Sequence, residues 1–434
     1  MAATGFSVGL GNIWRFPYVT GENGGSAFVL IYLFAAFAIG VPILMSEIMI
    51  GRRGGATPPM SMREVALASK RSPSWAWLGY LNLLTGFAIA AVYTVVTGWV
   101  LFYLFEALWG GLDQLDVATS PDYFNALLAD IPALMFWGAL PLVITGCIIA
   151  GGVAKGIERA AKCLMPLLIL LLLSLVVHNV FMGGMPETLD YLFSADFSKV
   201  TPATVLTAVG HAFFSIGVGM GAMMMYGAYL PPHISIATSA VVVALIDTSV
   251  ALIAGLVIFP MVFHHQLDPA GGAGLIFQTL PIAFAQMPAG GLVAVLFFLL
   301  LGLAALSSLV GLCEPLVAWV GERFKLRRIR SLVVLMGVMA AAAMTSVLSY
   351  NLWQDVTLFG YSMNWLMSYL PDQFMLPLGG FLIALFAGWF IQSSEAKDEL
   401  NISSPRLFAL WHLLMRFAVV PALFIILLTG LVVQ

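Results

Sequence analysis

Residues 5–25 read Gly-Phe-Ser-Val-Gly-Leu-Gly-Asn-Ile-Trp-Arg-Phe-Pro-Tyr-Val-Thr-Gly-Glu-Asn-Gly-Gly, an apolar stretch that cannot remain one continuous helix. Gly9 and Gly11 weaken a helix, and Pro17 removes a backbone hydrogen-bond donor from it. Arg15 would place a charge at membrane depth. Because freed backbone groups are tolerated in hydrocarbon only where they line a cavity, the stretch predicts a broken helix beside a buried polar site for an ion or a zwitterion.

The composition places the whole chain in a membrane. Of its 434 residues, 61% are hydrophobic and only 9% are charged, whereas about a quarter of a soluble chain is charged. The apolar segments carry no pair of catalytic carboxylates, no histidine-rich cluster and no Gly-x-Ser-x-Gly elbow, and nothing resembles a repeated channel filter. The sequence therefore favours a carrier over an enzyme or a channel, with the lipid bilayer as its surroundings and no role in binding nucleic acid.

Eleven apolar segments are long enough to cross a bilayer, since a span needs about 20 residues. In chain order, segments one to eleven lie near 1–22, 26–50, 76–108, 132–152, 160–183, 203–230, 235–264, 290–322, 331–349, 373–393 and 407–433. The stretch 350–371 is apolar but interrupted by Asn351, Asp355, Gly360, Asn364 and Pro371. We expect it to form an outer loop with a short helix.

Positive charge is concentrated on one side of the predicted spans. The loops after segments two, four, eight and ten hold fifteen of the 18 lysines and arginines: Arg52, Arg53, Arg63, Lys70, Arg71, Lys155, Arg159, Lys162, Arg323, Lys325, Arg327, Arg328, Arg330, Lys397 and Arg406. We call this the basic side. The opposite side, whose loops carry acids such as Asp113, Asp122 and Asp190, we call the acidic side. Since basic loops face the cytoplasm, eleven spans predict a cytoplasmic N-terminus and an outer C-terminus.

A second break is predicted in segment six. Residues 210–221 read Gly-His-Ala-Phe-Phe-Ser-Ile-Gly-Val-Gly-Met-Gly, with glycines at 217, 219 and 221. A single Gly-x-Gly can also serve close packing of two membrane helices. Two breaks five segments apart, with Asn12, Arg15 and Ser215 beside them, instead favour two inverted repeats whose freed backbone groups bind charged ligands.

The most informative single acid is Asp247. It lies in Val-Val-Val-Ala-Leu-Ile-Asp-Thr-Ser-Val-Ala-Leu-Ile-Ala-Gly, in the middle of segment seven. A carboxylate inside a span is expensive and is a functional candidate by default. We therefore expect Asp247 to belong to the buried polar site.

Several motifs together resemble one known family. Gly-Leu-Gly-Asn-Ile-Trp-Arg-Phe-Pro-Tyr at 9–18, followed by Glu-Asn-Gly-Gly-Ser-Ala-Phe at 22–28, is similar to the signature of the neurotransmitter:sodium symporters, and further matches lie at 51–55, 156–159, 210–229 and 304–308. Ending after eleven spans resembles the bacterial amino-acid transporters of that family. The resemblance implies an all-α polytopic protein of the bacterial inner membrane, with helices one and six broken.

The same resemblance implies a single transporter domain over 1–434. It divides into a first five-helix repeat at 1–183, an inverted second repeat at 203–393, and an extra helix at 407–433. Substrate and two Na⁺ would bind at mid-membrane, and helices one and six would rock to give alternating access.

The resemblance assigns two sodium sites, and the residue types fit, because Na⁺ is a hard cation that prefers oxygen ligands, as calcium and magnesium do. The first site would comprise the Ser7 carbonyl, the Asn12 side chain, Ser215 and Asp247. The second would use the carbonyls of Gly5, Val8 and Ala304 with the hydroxyls of Ser307 and Ser308. A Ser-Ser pair in an apolar helix can also bond back to its preceding turn.

Chloride is not expected as a cofactor. Animal members of the family commonly need chloride beside the first sodium site, where Asp247 would supply a permanent negative charge. We therefore predict chloride-independent transport.

For the substrate, the resemblance implies an amino acid that carries its own carboxylate. Monoamine carriers of the family have Asp at the position of Gly9, and Tyr93 matches a tyrosine that bonds the substrate carboxylate. The whole predicted substrate site comprises Gly9, Leu10, Gly11, Ile89, Tyr93, Phe214, Ser215, Gly217, Met220, Ser308 and Leu312. It is mostly apolar and holds no counter-charge, which favours neutral, hydrophobic or aromatic side chains.

Gates are implied on both sides of this site. Arg15 would face outward and pair with Asp372 at the start of helix ten, Phe214 would be the aromatic lid, and Glu322 and Tyr229 would belong to the inner gate. The usual basic partner of Glu322 precedes helix one, so we expect either a further natural N-terminal segment or a different inner gate. Glu47 would brace the freed backbone of helix six; alternatively it is a helix-end acid reaching for the interface.

The sequence therefore predicts a sodium-coupled symporter that imports neutral amino acids. The alternative is a proton-coupled carrier of the same fold, with His211 and Asp247 as a proton relay. Neither the particular amino acid nor an oligomeric state follows from the sequence.

Overall fold

The computed structural model describes residues 2–194, 196–270, 272–402 and 404–432. Within these ranges, nine uninterrupted helices are long and apolar enough to cross a membrane: Ser26–Gly54, Pro73–Leu108, Ile131–Ala150, Val153–Met182, Ile236–His264, Gly290–Phe324, Arg328–Ser349, Met363–Phe390 and Pro405–Thr429. They correspond to segments two to five and seven to eleven. The prediction of an all-helical polytopic membrane protein is thereby confirmed.

The other two segments are the broken ones. Segment one consists of a helix at Ala2–Ser7, a π-helical turn at Gly11–Arg15 and a second helix at Phe16–Glu22. Segment six consists of Pro202–Ile216 and Ala222–Ala228. Both interruptions fall where the sequence predicts them.

Glycine is required at the break in segment six. Gly217, Gly219 and Gly221 have φ angles of +79°, +81° and +77°, in the left-handed region that side chains disfavour. Three such residues within five positions cannot continue a right-handed helix, so the helix ends at Ile216 and restarts at Ala222. Their amide and carbonyl groups then need partners outside the helix.

Segment ten begins earlier than predicted. A short hairpin pairs Thr357–Leu358 with Tyr361–Ser362, and the helix starts at Met363 rather than near 373. Ser362 caps it by accepting a hydrogen bond from the Trp365 amide at 3.2 Å. Pro371 does not end the helix, because it lies in a π-helical turn at Leu370–Met375 that already departs from the α-helical pattern. The predicted outer loop with a short helix over 350–371 therefore ends at Ser362, because 363–371 is helical and continuous with segment ten.

Shorter elements connect the spans. On the basic side these are helices at Pro58–Ala68 and Ser393–Leu400. On the acidic side they are helices at Thr119–Ala129, Met185–Phe193 and Thr279–Gln286, with single 3₁₀ turns at Phe197–Lys199 and Gly272–Leu275.

Segments three and eight form the centre of the bundle and pack along each other. In segment eight, 78% of the most apolar stretch is buried, against 17% in the peripheral segment eleven. Segment one packs on segment seven, and segment six packs on segment two. These contacts place the break in segment one and the break in segment six side by side in the core.

Contacts between loops place the basic ends together. Arg52 binds Glu399 and Arg53 binds Glu395, joining the end of segment two to the helix that follows segment ten. Arg328 donates to the Ile149 carbonyl at 3.0 Å, joining segment nine to the end of segment four. The loops after segments two, four, eight and ten thus lie on one side, as the charge pattern predicts.

Candidate functional site

The first predicted ion site is a compact polar cluster between segments one, six and seven. Asn12 Nδ2 donates to Asp247 Oδ1 and to the Asp247 carbonyl at 2.8 Å, and to Ser215 Oγ at 3.1 Å. Ser215 Oγ donates to Asp247 Oδ2 at 2.8 Å. All three side chains are buried. Asn12 Oδ1 in turn accepts a hydrogen bond from the Gly9 amide at 2.9 Å.

The second predicted ion site joins the break in segment one to segment eight. Ser307 Oγ donates to the Gly5 carbonyl and lies 3.4 Å from the carbonyls of Val8 and Ala304. Ser308 Oγ donates to the Phe6 carbonyl at 2.7 Å. Two serine hydroxyls therefore reach carbonyls of a segment about 300 residues away, so their bonds are not only to their own preceding turn.

The donor chemistry of both clusters suits a hard monovalent cation. The first combines one carboxylate with neutral oxygens, and the second has carbonyl and hydroxyl oxygens only. In the described part of the chain, no three His, Cys, Asp or Glu side chains gather in a way that could hold a metal ion. The residues present thus fit Na⁺ better than a transition metal.

Between the two clusters lies a small buried pocket with a cavity volume of about 20 Å³. It is lined by Phe6, Ser7, Gly9, Gly11, Ile89, Tyr93, Phe214, Ser215, Gly217, Met220, Ser308 and Leu312. Every predicted substrate residue except Leu10 is therefore brought together here. Leu10 contributes its amide instead, which donates to the Tyr93 hydroxyl at 2.8 Å.

Phe6 is a pocket residue that sequence reasoning missed. A Cβ added at Gly217 would lie 2.3 Å from the Phe6 ring, and one at Gly311 would lie 2.4 Å from its other edge. The ring is thus held between two glycines, with Tyr226 beyond it at 6.2 Å between ring centroids. Nothing in the local sequence distinguishes Phe6 from an ordinary apolar residue, since both glycines are distant in the chain.

The acidic side of the pocket is closed by an ion pair and an aromatic ring. Arg15 binds Asp372 through two parallel hydrogen bonds of 2.6 and 2.5 Å, and its guanidinium carbon lies 4.4 Å above the Phe214 ring. Beyond the pair opens a vestibule of about 460 Å³. The sequence predicts Asp372 at the start of segment ten, but the helix begins at Met363 and Asp372 lies within its π-helical turn.

The basic side is closed by Glu314, Arg328 and Tyr229, which we call the latch, and of these three the sequence predicts only Tyr229 as a gate residue. Glu314 of segment eight is fully buried and binds Arg328 at 3.0 and 2.7 Å, and Tyr229 donates to it at 3.1 Å. Glu322 is exposed, and its Oε2 accepts from the Thr57 amide at 3.3 Å. Sequence reasoning missed Glu314, although an acid within an apolar span is a functional candidate on the same grounds as Asp247.

Glu314→Gln is expected to loosen the basic side. The change removes the charge that holds Arg328 and weakens the Tyr229 contact, at a cost of about 1–3 kcal/mol. Hydrogen exchange followed by mass spectrometry should show faster exchange in 2–7 and 222–230 than in the unmodified protein. Glu322→Gln is the matched control. If Glu322→Gln accelerated exchange more than Glu314→Gln does, Glu322 rather than Glu314 would hold the basic side closed.

Glu47 lies against the break in segment six. Its Oε1 accepts a hydrogen bond from the Gly219 amide at 2.7 Å, and the residue is fully buried. This is the contact that a brace requires, and it is inconsistent with an acid reaching for the interface. The carboxylate satisfies a backbone group that the three left-handed glycines remove from the helix.

His211 is buried among aromatic rings. Its ring centroid lies 5.1 Å from that of Tyr32 and 5.9 Å from that of Phe16. Neither ring nitrogen has a hydrogen-bond partner in the described part of the chain. The structure therefore gives His211 no hydrogen bond to Asp247, the contact a direct relay would need.

Known proteins resemble the chain over nearly its full length. The family model described as the sodium:neurotransmitter symporter family matches residues 1–118 and 128–434. A Haemophilus influenzae protein described as an uncharacterized sodium-dependent transporter is 33% identical over 99% of this chain and 96% of its own length. A Bacillus subtilis protein of the same description is also 33% identical, over 99% of this chain and 95% of its own length.

A solved structure extends the likeness to three dimensions. MhsT in complex with L-phenylalanine superposes with a TM-score of 0.91 at 40% sequence identity, covering 99% of this chain and 97% of that one. The broken segments and the polar clusters of this chain are consistent with these matches. The chain belongs to the sodium:neurotransmitter symporter family.

Proposed function

We propose that this transporter couples the import of neutral, hydrophobic or aromatic L-amino acids to Na⁺ through two sodium sites, without chloride. The observation that carries the proposal is the convergence of both interrupted segments on one pocket. Oxygens of segments one, six, seven and eight lie on two sides of it. An ion in the first cluster would adjoin the substrate carboxylate, so each ligand would raise the affinity for the other.

The pocket chemistry supports the substrate class. Ile89, Phe214, Met220 and Leu312 supply apolar surface, and none of the described residues that line the pocket is acidic or basic. The substrate carboxylate would meet the Tyr93 hydroxyl and the amide end of the half-helix that begins after Gly9. L-phenylalanine in the MhsT complex supports an aromatic amino acid as one substrate.

Alternating access would use the two closures described above. The Arg15–Asp372 pair with Phe214 would be the outer gate, and the Glu314 latch with Phe6 the inner one. With both closures formed, the arrangement is an occluded one, with the vestibule lying outside the outer gate. Movement of the broken segments against segments three and eight would open one gate while it closes the other.

Uptake into vesicles tests this function. Purified protein is reconstituted, and uptake of labelled phenylalanine, tryptophan, leucine, glycine and lysine is measured with external NaCl, KCl or sodium gluconate. We expect uptake of the three large apolar amino acids in both sodium salts and none in KCl. Uptake that ignores Na⁺ and follows a pH gradient would favour the proton-coupled alternative, and loss of uptake in gluconate would overturn chloride independence.

A further inference from the structure

A second pocket opens on the basic side, at the start of segment three and far from the substrate site. Its cavity volume is about 260 Å³, and it is lined by Ser72, Ser74, Trp75, Trp77, Leu78 and Leu382. Ser72 precedes the helix of segment three, Ser74 lies in the 3₁₀ turn at Pro73–Trp75 with which that helix begins, and Leu382 belongs to segment ten. The pocket therefore lies where two spans meet the basic surface.

Its lining changes from polar to apolar along the direction of the membrane normal. Trp77 is 76% exposed in the first turns of a membrane-spanning helix, where indole rings collect at the boundary between headgroups and hydrocarbon. Leu78 and Leu382 follow deeper in the two spans. A ligand that fills this pocket must therefore be polar at one end and apolar at the other.

Arg71, which directly precedes the lining residue Ser72 in the chain, carries a positive charge without an acidic partner among the described residues. Arg71 is exposed, and its Nε donates to the Phe390 carbonyl at 3.1 Å. In the described part of the chain, no carboxylate lies within 4.0 Å of Arg71, whereas Arg52 and Arg53 on the same side are paired with Glu399 and Glu395.

Aromatic contacts connect this arginine to the pocket. The Arg71 guanidinium lies 5.6 Å from the centroid of the Phe390 ring, and Trp75 contacts the same ring at 4.9 Å. Trp75 also packs on Phe386 at 4.7 Å. The arginine and the pocket lining are thus anchored to the same end of segment ten.

The serine hydroxyls add a hydrogen-bond donor. Ser72 Oγ donates to Ser74 Oγ at 3.0 Å and accepts from the Ser74 amide at 3.2 Å. This leaves the proton of the Ser74 hydroxyl available, in the part of the chain that the structure describes. Arginine together with a hydroxyl is a donor set that suits a phosphate.

We propose that this pocket binds an anionic phospholipid of the leaflet on the basic side. The phosphate contacts the Arg71 guanidinium and the Ser74 hydroxyl, and an acyl chain follows Leu78 and Leu382. A zwitterionic phospholipid brings its own cation, so its net attraction to the unpaired arginine is weaker. Because the pocket is built from segments three and ten, which also carry Tyr93 and Asp372, the lipid joins two elements of the transport scaffold. The proposal does not depend on the identity of the transported substrate.

Native mass spectrometry of the purified protein tests this site. The protein is titrated with phosphatidylglycerol or phosphatidylcholine of the same chain length. We expect one phosphatidylglycerol to bind about fivefold more tightly than phosphatidylcholine, and the preference to disappear in Arg71→Gln. Arg63→Gln, which removes an exposed arginine paired with Glu64, keeps it. Equal binding of the two lipids, or equal behaviour of the two variants, would contradict the proposal.

A second variant tests the cavity rather than the charge. Ser74→Trp fills the pocket while leaving every arginine in place, and monodisperse elution with wild-type amino-acid binding shows that the fold is intact. We expect this variant to lose the tightly bound phosphatidylglycerol. Unchanged retention would show that the lipid binds to basic residues elsewhere on the surface.

Discussion

Asp247→Asn is expected to lower sodium-coupled uptake about a hundredfold at low Na⁺, and the uptake that remains is expected to require chloride. Asp247 is fully buried, and among the described residues it is the only carboxylate in the cluster with Asn12 and Ser215. With Na⁺ bound as proposed, Asp247 would be one member of a buried ion pair, and removing one member of such a pair costs about 3–5 kcal/mol, the lower end of which is about a hundredfold. In the variant, chloride would supply the missing negative charge. Uptake into vesicles, measured against Na⁺ in chloride and gluconate, checks both parts.

Asp355→Asn is the matched control for that experiment, because Asp355 is exposed in the loop before the hairpin. It loses the same charge and is expected to transport like the unmodified protein. If Asp247→Asn keeps its Na⁺ dependence and gains no response to chloride, the carboxylate is not the permanent counter-charge of the first ion site.

Gly9→Ala is expected to abolish amino-acid binding. A Cβ at this position would lie 2.1 Å from Ser308 Oγ and 2.8 Å from the Tyr93 hydroxyl. Neither atom can retreat freely, because Ser308 Oγ is bonded to the Phe6 carbonyl and the Tyr93 hydroxyl accepts from the Leu10 amide. The methyl group therefore disturbs the break in segment one, the second ion site and the carboxylate position together. Equilibrium binding of labelled phenylalanine measures the loss, expected to exceed a hundredfold.

Gly337→Ala provides the comparison for this substitution. Gly337 also lies in a membrane-spanning helix, and a Cβ there would meet nothing within 4 Å. It is expected to bind amino acid normally and to be as stable as the unmodified protein or slightly more so, because alanine favours helix. Normal binding by Gly9→Ala would show that the substrate does not occupy the space between Gly9, Tyr93 and Ser308.

The two breaks could be predicted because glycine and proline act on their own stretch of backbone. Three glycines within five positions weaken any helix, and Gly217, Gly219 and Gly221 adopt left-handed φ angles in the structure. The same reasoning failed in segment ten, where Pro371 and Asn364 look like helix breakers. There a π-helical turn accommodates the proline, and stacking of Trp365 on Tyr361 and Tyr369 at 4.0 and 4.6 Å supports the helix before it.

Contacts between distant residues were harder to predict from the sequence. The resemblance to a known family supplied the pairing of Arg15 with Asp372, which the structure contains, and the ion-site residues, which the structure gathers. The resemblance names Glu322 for the inner gate but does not name Glu314, which forms an ion pair with Arg328 of the next segment. Phe6 is defined only by its position between Gly217 and Gly311, which no local pattern reveals.

Equilibrium binding of amino acid to the purified protein, with NaCl exchanged for KCl at constant ionic strength, tests most directly whether the interrupted segments hold Na⁺ beside the substrate. If they do, the affinity for phenylalanine rises with Na⁺ by about 5–150-fold, and phenylalanine raises the affinity for Na⁺ by the same factor. Ser307→Ala, which removes a hydroxyl from the second cluster, shifts the Na⁺ dependence to higher concentrations. The same phenylalanine affinity in both salts would contradict the assignment of either cluster as a sodium site coupled to the substrate.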